Sequence, residues 1–304
     1  GSTIGETFAS NEIAEAALSG DGLIYALPKK AAESLIVVSD VHGHRQGLES
    51  AVREFLRDTK SHLASLWDNI NFGPEQLEVM KALLKLAIQF PKRVHLLRGN
   101  NEVDITRTGG WGDALYNAQG ERGMKINGDR AERIFSQLPL MLVTENGLVA
   151  LHGNLPRAVK EYATDETARF RNLQELGRTF SENTRAVSGI LWAEKSKWGE
   201  TGMKDATHPG DFPNVPYLGE AAVIGAMNAI GAASELGGHQ HSFAAQFGGP
   251  DGHPGYAITH DERVGTMVTL PNGDKREGAI ARLPLDETLT ALRPEYFESV
   301  VYES

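Results

Sequence analysis

The chain has 304 residues, 40% of them hydrophobic and 23% charged, with a formal net charge of −10 and no cysteine. The acidic balance argues against nucleic acid as the main partner, because holding it needs a basic surface. The absence of cysteine excludes disulfides, a thiol nucleophile and thiolate metal sites, so any metal must be held by His, Asp, Glu or Asn, a donor set that suits Mn, Fe or Zn.

Residues 3–33 read as a helical or irregular lead-in, with 1–19 outside the main domain. Leu35-Ile36-Val37-Val38 is a short β-branched run that predicts a buried strand, and it leads directly into Ser39-Asp40-Val41-His42-Gly43. Apolar residues Leu48, Val52, Phe55 and Leu56 follow at helical spacing. A second strand around Leu63–Trp67 ends at Asp68. Pro74 marks a helix start, where its missing N–H does no harm, and Leu77, Met80, Leu84 and Ala87 line one face of that helix.

A third strand, Val94–Leu97, ends in Arg98-Gly99-Asn100-Asn101-Glu102. Strand, loop and helix thus recur, the pattern of an α/β fold whose parallel sheet is covered by helices. In such sheets ligands lie beyond the carboxyl ends of the strands. Leu140–Val143 and Leu148–Leu151 flank Glu145-Asn146-Gly147, a hairpin signal whose second strand ends at His152. The region 157–218 is less regular. A helix near 219–233 precedes Gly237-Gly238-His239, and 255–284 reads as short strands with turns, one at Asn272-Gly273. The last segment, 286–304, is read as a tail without assigned structure.

No apolar run approaches the ~20 residues of a membrane span, and the first residues lack a basic segment followed by an apolar one. A soluble, cytoplasmic protein without a membrane partner is the default expectation.

The strand ends together supply Asp40, His42, Asp68, Asn100, His152 and His239. A carboxylate at a strand terminus can bridge two cations, with imidazole and amide oxygen completing each shell. Two cations roughly 3.5–4 Å apart can clamp a phosphate and activate a water, so the expected chemistry is attack of metal-bound hydroxide on phosphorus.

These segments resemble the phosphoprotein-phosphatase family of metallophosphoesterases. The family's G-D-x-H-G appears as Ser39-Asp40-Val41-His42-Gly43, and its G-D-x-V-D-R-G-P as Trp67-Asp68-Asn69-Ile70-Asn71-Phe72-Gly73-Pro74. Arg93 to Asn100, Phe135 to Pro139, Leu151-His152-Gly153, Leu191-Trp192 and Gly238-His239-Gln240 follow the family in order, so that the resemblance spans about residues 20–285. It implies a calcineurin-like central β-sandwich flanked by helices and two divalent metals, one held by Asp40, His42 and Asp68, the other by Asp68, Asn100, His152 and His239.

Three departures cluster. The family's catalytic His, the acid of its G-N-H-E, is Asn101 here. The Asp that orients it is Asn71, and the neighbouring phosphate-gripping Arg is Phe72. A further family Arg has no match around Pro213–Leu218. An amide cannot protonate a leaving alkoxide, and losing a general acid typically costs ~10²–10⁴ in rate. Esters whose leaving group needs no proton, such as aryl phosphates and phosphotyrosine, would suffer least.

Arg98, Phe72, His241 and Arg107 are the candidates for substrate binding; His44, Arg45 and His260 could also reach the site. The implied substrate is a phosphorylated protein or a small phosphoester. The alternatives are an impaired pseudophosphatase serving as a binding scaffold and a dinucleotide-polyphosphate hydrolase, in which Trp67 or Trp111 would stack a base.

Overall fold

A computed structural model describes residues 4, 8, 22–70, 73–103, 128–155, 173–182, 187, 190–195, 202–204, 215–240, 253, 255–259, 262–269 and 277–302. Two sheets form its centre. The first has five strands in the order β14-β13-β2-β3-β4: β2 is Ser34–Val38, β3 Ser61–Ser65, β4 Val94–Leu96, β13 Glu277–Pro284 and β14 Phe297–Val301. The strands β2, β3 and β4 run parallel, whereas β13 runs antiparallel to both β2 and β14.

The second sheet has six strands in the order β1-β5-β6-β10-β12-β11, where β1 is Ile24–Leu27, β5 Met141–Thr144, β6 Leu148–Leu151, β10 Ser234–Gly237, β11 Tyr256–Thr259 and β12 Val264–Met267. A small third sheet joins β7 (Glu194–Lys195), β9 (Val215–Leu218) and β8 (Gly202–Lys204).

The two-residue side-chain period of a strand assigns the layers. Leu35 and Val37 of β2 pack with Leu142, Leu148, Ala150 and Leu236 of the other sheet, forming the core of a sandwich. Ile36 and Val38 point the opposite way and meet two helices, α1 (Arg45–Arg57) and α2 (Gln76–Gln89). On the far side, Met141, Val143, Val149 and Leu151 meet α5 (Leu173–Glu182) and α6 (Glu220–Ile230). Two short helices, α3 (Asn100–Val103) and α4 (Gly128–Phe135), lie between these in sequence. The expected β-sandwich flanked by helices is what forms. No helix among the described residues is long and apolar enough to cross a membrane.

Several local expectations are corrected. Residues 24–27, read as lead-in, form β1, which pairs in parallel with β5. Leu56 is 54% exposed although it shares the apolar spacing of α1. Eight residues beyond Leu48, it has rotated roughly 80° off the buried stripe of Leu48, Ala51 and Phe55. Strand β3 begins and ends two residues early, because Trp67 and Asp68 turn out of the ladder with φ of 78° and 53°. Pro74 precedes α2 by two residues instead of opening it. The segment 286–304 contains β14, hydrogen-bonded along β13. The turn at Asn272-Gly273 and most of 157–218 lie outside the described residues.

Candidate metal centre

Parallel pairing puts the carboxyl ends of β2, β3 and β4 at one edge of their sheet, and β6 and β10, also parallel, end together in theirs. From these ends come the loops carrying Asp40 and His42, Asp68, Asn100, His152 and His239. Backbone hydrogen bonds join the first two loops: Asp40 N–H donates to Trp67 O (2.9 Å), His42 N–H to Asp68 O (2.9 Å) and Gly43 N–H to Asn69 O (2.8 Å). The other sheet is joined by Gly238 N–H to His152 O (2.7 Å). His239 N–H reaches both oxygens of Asp40, at 2.9 and 3.1 Å.

The backbone is strained here. Asp40, His42, Trp67, Asp68 and His239 all have positive φ, between 45° and 78°, a region non-glycine residues avoid at a cost of ~1–3 kcal/mol each. The loops also approach so closely that a Cβ at Gly99 would collide with the Asp68 carboxylate, and one at Gly238 with Ser39 Oγ and Asp40 Oδ2.

Two clusters of donor atoms result, Asp40–His42–Asp68 and Asp68–His152–His239, each with its ligand atoms within 4.8 Å of one another. Asp40, His42, Asp68, Asn100 and His152 are all buried. His42 Nδ1–H donates to Ile70 O (2.7 Å), and Nε2 lies 3.8 Å from Asp40 Oδ1 and 3.9 Å from Asp68 Oδ2. His152 Nδ1–H likewise donates to Leu66 O (3.1 Å), with Nε2 at 3.3 Å from Asp68 Oδ2. Holding one ring nitrogen by a backbone carbonyl is how a metal-binding imidazole is oriented.

The donor set fits divalent cations. His152 Nε2 lies 2.6 Å from Asn100 Oδ1, and His239 Nδ1 lies 3.1 Å from that same oxygen. Either ring nitrogen can donate to the amide oxygen when protonated, and a cation among the three atoms would meet two imidazoles and an amide oxygen. Burial opposes charge on His42 and His152, yet the Asp40 and Asp68 carboxylates outweigh it and raise both pKa values. Burial likewise works against the charge of Asp68, while His152 and His42 hold its pKa low. A divalent cation would answer the same field.

Residues 34–243 match the calcineurin-like phosphoesterase family. The chain belongs to that family. It is 28% identical over 166 residues to a probable serine/threonine-protein phosphatase of Encephalitozoon cuniculi, covering 53% of this chain and 33% of that protein. It is 27% identical over 133 residues to a serine/threonine-protein phosphatase of Arabidopsis thaliana, covering 43% of this chain and 12% of that one. The matches thus span a third or less of these relatives' length.

Among solved structures, a protein serine/threonine phosphatase from Saccharomyces cerevisiae superposes with a TM-score of 0.64 at 16% identity, over 97% of this chain and 90% of that one. A cold-active protein-tyrosine phosphatase of a psychrophilic Shewanella gives 0.54 at 13% identity, over 87% and 78%. At these identities the likeness establishes the fold.

Within this calcineurin-like phosphoesterase, Asn101 is buried against the centre. Its backbone N–H donates to Asp68 Oδ1 (3.1 Å) and its side-chain amide to Asp68 Oδ2. Arg98, expected at the substrate, is buried, and its Nη2 donates to the carbonyls of Ser136 and Leu138. His44 flanks the start of α1 beside Tyr302, with ring centroids 5.9 Å apart. Arg45 is exposed and pairs with Glu49 (3.0 Å) and Glu75 (3.4 Å). Trp67 is fully buried and packs edge-on against Phe135, which corrects the base-stacking option for this residue. Asn71, Phe72, Arg107, Trp111, His241 and His260 lie outside the described residues.

Glu102 went unread in the sequence. Its Oε1 accepts from the N–H groups of Asn69 (2.9 Å) and Ile70 (3.3 Å), and its Oε2 from that of Asp68 (3.3 Å). Burial, and then the Asp68 charge, push its pKa well above the usual carboxylate value. It follows Asn100 by two residues, but a carboxylate whose partners are backbone amides leaves no spacing signature. Trp192 also borders the centre, edge-on to His239 at 5.7 Å between centroids.

Proposed function

We propose that this chain is a dinuclear metal-dependent phosphomonoesterase that favours esters with good leaving groups, such as aryl phosphates and phosphotyrosine. Asp40, His42 and Asp68 would hold one divalent cation, of Mn, Fe or Zn type; Asp68, Asn100, His152 and His239 would hold the other. When bound, such a pair supplies charge neutralisation on the phosphoryl oxygens and a water of lowered pKa.

The observation that carries the leaving-group preference is the engagement of Asn101. Its amide donates to Asp68, and an amide has no proton to give an alkoxide at neutral pH. Asn101 therefore orients the shared carboxylate rather than serving as an acid. His42 and His152, each tied through Nδ1–H to a backbone carbonyl, turn Nε2 toward the Asp68 carboxylate. The loops 39–43 and 66–70, hydrogen-bonded to each other, hold these donors in place before substrate arrives. Preorganisation of this kind lowers a barrier without reorganising at the moment of reaction.

The test is kcat/KM on an aryl phosphate and on a phosphoserine peptide, with metal content measured in the same sample. The expected result is a preference of at least about 10²-fold for the aryl ester, the low end of what an acid contributes. Equal rates on the two substrates would mean that another residue supplies the proton. A metal-loaded protein that turns over neither ester would favour the scaffold reading.

A further inference from the structure

We propose that Glu102 is a positioning residue for the candidate centre, its buried carboxylate holding the backbone of residues 68–70 so that Asp68 and His42 are presented together. This inference rests on the dinuclear reading above. Three successive N–H groups converge on Glu102: those of Asn69 (2.9 Å) and Ile70 (3.3 Å) on Oε1, and that of Asp68 (3.3 Å) on Oε2. A turn whose consecutive N–H groups converge makes an anion site. Here the occupant is a carboxylate of the chain itself, and it is buried.

The loop needs such a holder. Trp67 and Asp68 both have left-handed φ, 78° and 53°, a conformation non-glycine residues avoid unless their surroundings impose it. Strand β3 ends at Ser65, and the amides of residues 68, 69 and 70 donate to Glu102 rather than to a neighbouring strand.

Residues 101 and 102 grip Asp68 from both ends. Asn101 donates to its carboxylate through the backbone N–H (3.1 Å) and the side-chain amide, while Glu102 accepts from its N–H. Both belong to α3, which begins at Asn100, so one short element sets the placement of Asn100 relative to the shared carboxylate. The approach is as close as glycine permits: a Cβ at Gly99 would collide with Asp68 Oδ1 and come within 2.9 Å of Glu102 Oε2. Glu102 also acts at one remove on His42. The Ile70 whose N–H it accepts turns its carbonyl to His42 Nδ1–H (2.7 Å). Hydrogen-bonding partners that orient ligands typically govern metal affinity by about 10–100-fold.

The experiment strips the full chain with chelator and titrates Mn²⁺ by calorimetry, with electron paramagnetic resonance counting the bound ions. It compares the parent with Glu102→Gln, Glu102→Asp and Leu292→Ala. Glutamine keeps the length but sets an NH₂ against the backbone donors; aspartate keeps the charge but is one methylene short. The parent is expected to take up two ions. Glu102→Gln and Glu102→Asp should each bind both ions about 10–100-fold more weakly, because both ions would share Asp68. Leu292→Ala truncates the sandwich core and reports destabilisation alone: its melting temperature in chelator should fall while both affinities stay within about twofold. Parent affinity in either Glu102 variant overturns the inference. Kept by Glu102→Asp, it would leave charge as the cause; kept by Glu102→Gln, it would make the accepted amide bonds dispensable. A loss of affinity in Leu292→Ala equal to that in the Glu102 variants overturns it too. These outcomes leave the dinuclear reading intact, whereas uptake of less than one ion by the parent overturns both. Should one Glu102 variant fail to fold, the other decides; failure of both would make Glu102 a folding residue and overturns the inference.

Discussion

Asp68 stands where three of the loops meet. Its carboxylate accepts from Asn101 twice, its N–H reaches Glu102, and its neighbour across the loop is a glycine without room for a side chain. Adding one methyl at Gly99 should therefore shift the carboxylate that both cations would share. Gly99→Ala is expected to cost about 1–3 kcal/mol, in the range of overpacked interiors, and to reduce Mn²⁺ uptake at both sites. Thermal melting in chelator and ion counting in Mn²⁺ measure the two effects separately; unchanged uptake would show that Asp68 tolerates the shift.

At this scale the candidate ligands were legible because each ends a strand and carries a side chain that metals favour. Glu102 was not, since its partners are the backbone amides of Asp68, Asn69 and Ile70. An arginine beside a ligand motif invites a substrate-binding role, yet the Arg98 guanidinium is turned to the carbonyls of Ser136 and Leu138.

Among the elements, β2, α1, α2, β5, β6 and α6 were visible from periodicity and turn chemistry. The strands β1 and β14 were not. Ile24–Leu27 is only four residues long, and Phe297–Val301 alternates weakly, with three of its five residues exposed. Pairing with β5 and β13, far away in sequence, is what makes strands of them.

The contact between β3 and β4 carries a titratable pair with no part in the centre. His62 Nδ1 lies 2.9 Å from His95 Nε2, and Tyr25 of β1 packs on His95 with centroids 4.4 Å apart. Burial, and secondarily the neighbouring His62, push the His95 pKa down to about 3; burial and Arg93 lower that of His62.

The unfolded chain takes up these protons near pH 6.5, well before the folded chain does. Stability from this pair is therefore full above about pH 6.5 and is lost progressively as pH falls toward 3, on the order of a few kcal/mol by pH 4. Melting curves in chelator from pH 7.5 to 4 should slope less steeply in His95→Gln than in the parent. Parallel slopes would place the acid sensitivity elsewhere.

The molecule as a whole is four layers deep, and its candidate centre draws on both sheets: Asp40, His42, Asp68 and Asn100 follow strands of one, His152 and His239 follow strands of the other. Cations bound there should stabilise the native state alone, by RT ln(1 + [L]/Kd), about 2.7 kcal/mol at a hundredfold excess over the dissociation constant. Their removal leaves Asp40 and Asp68 as like charges in a buried site. The melting temperature should fall by several degrees in chelator and recover with Mn²⁺. A midpoint indifferent to both would mean that no ion bridges the sheets.

The sandwich was legible only through family resemblance. Strand–helix alternation along the first hundred residues points to a helix-covered sheet, and nothing in local periodicity tells that a second sheet packs against it.

The hydrogen bonds from His239 to Asp40 join residues 199 apart in the chain. Such closure has a consequence for biosynthesis. A nascent chain grows at about 5–20 residues per second, so the Asp40–His42–Asp68 half exists for some ten seconds or more before His239 has been made. During that interval the early loops lack both the His239 amide that steadies Asp40 and the two histidines of the second sheet. An ion captured by the growing chain would be held by half a centre, and the second-sheet histidines would join it only after translation has passed β10.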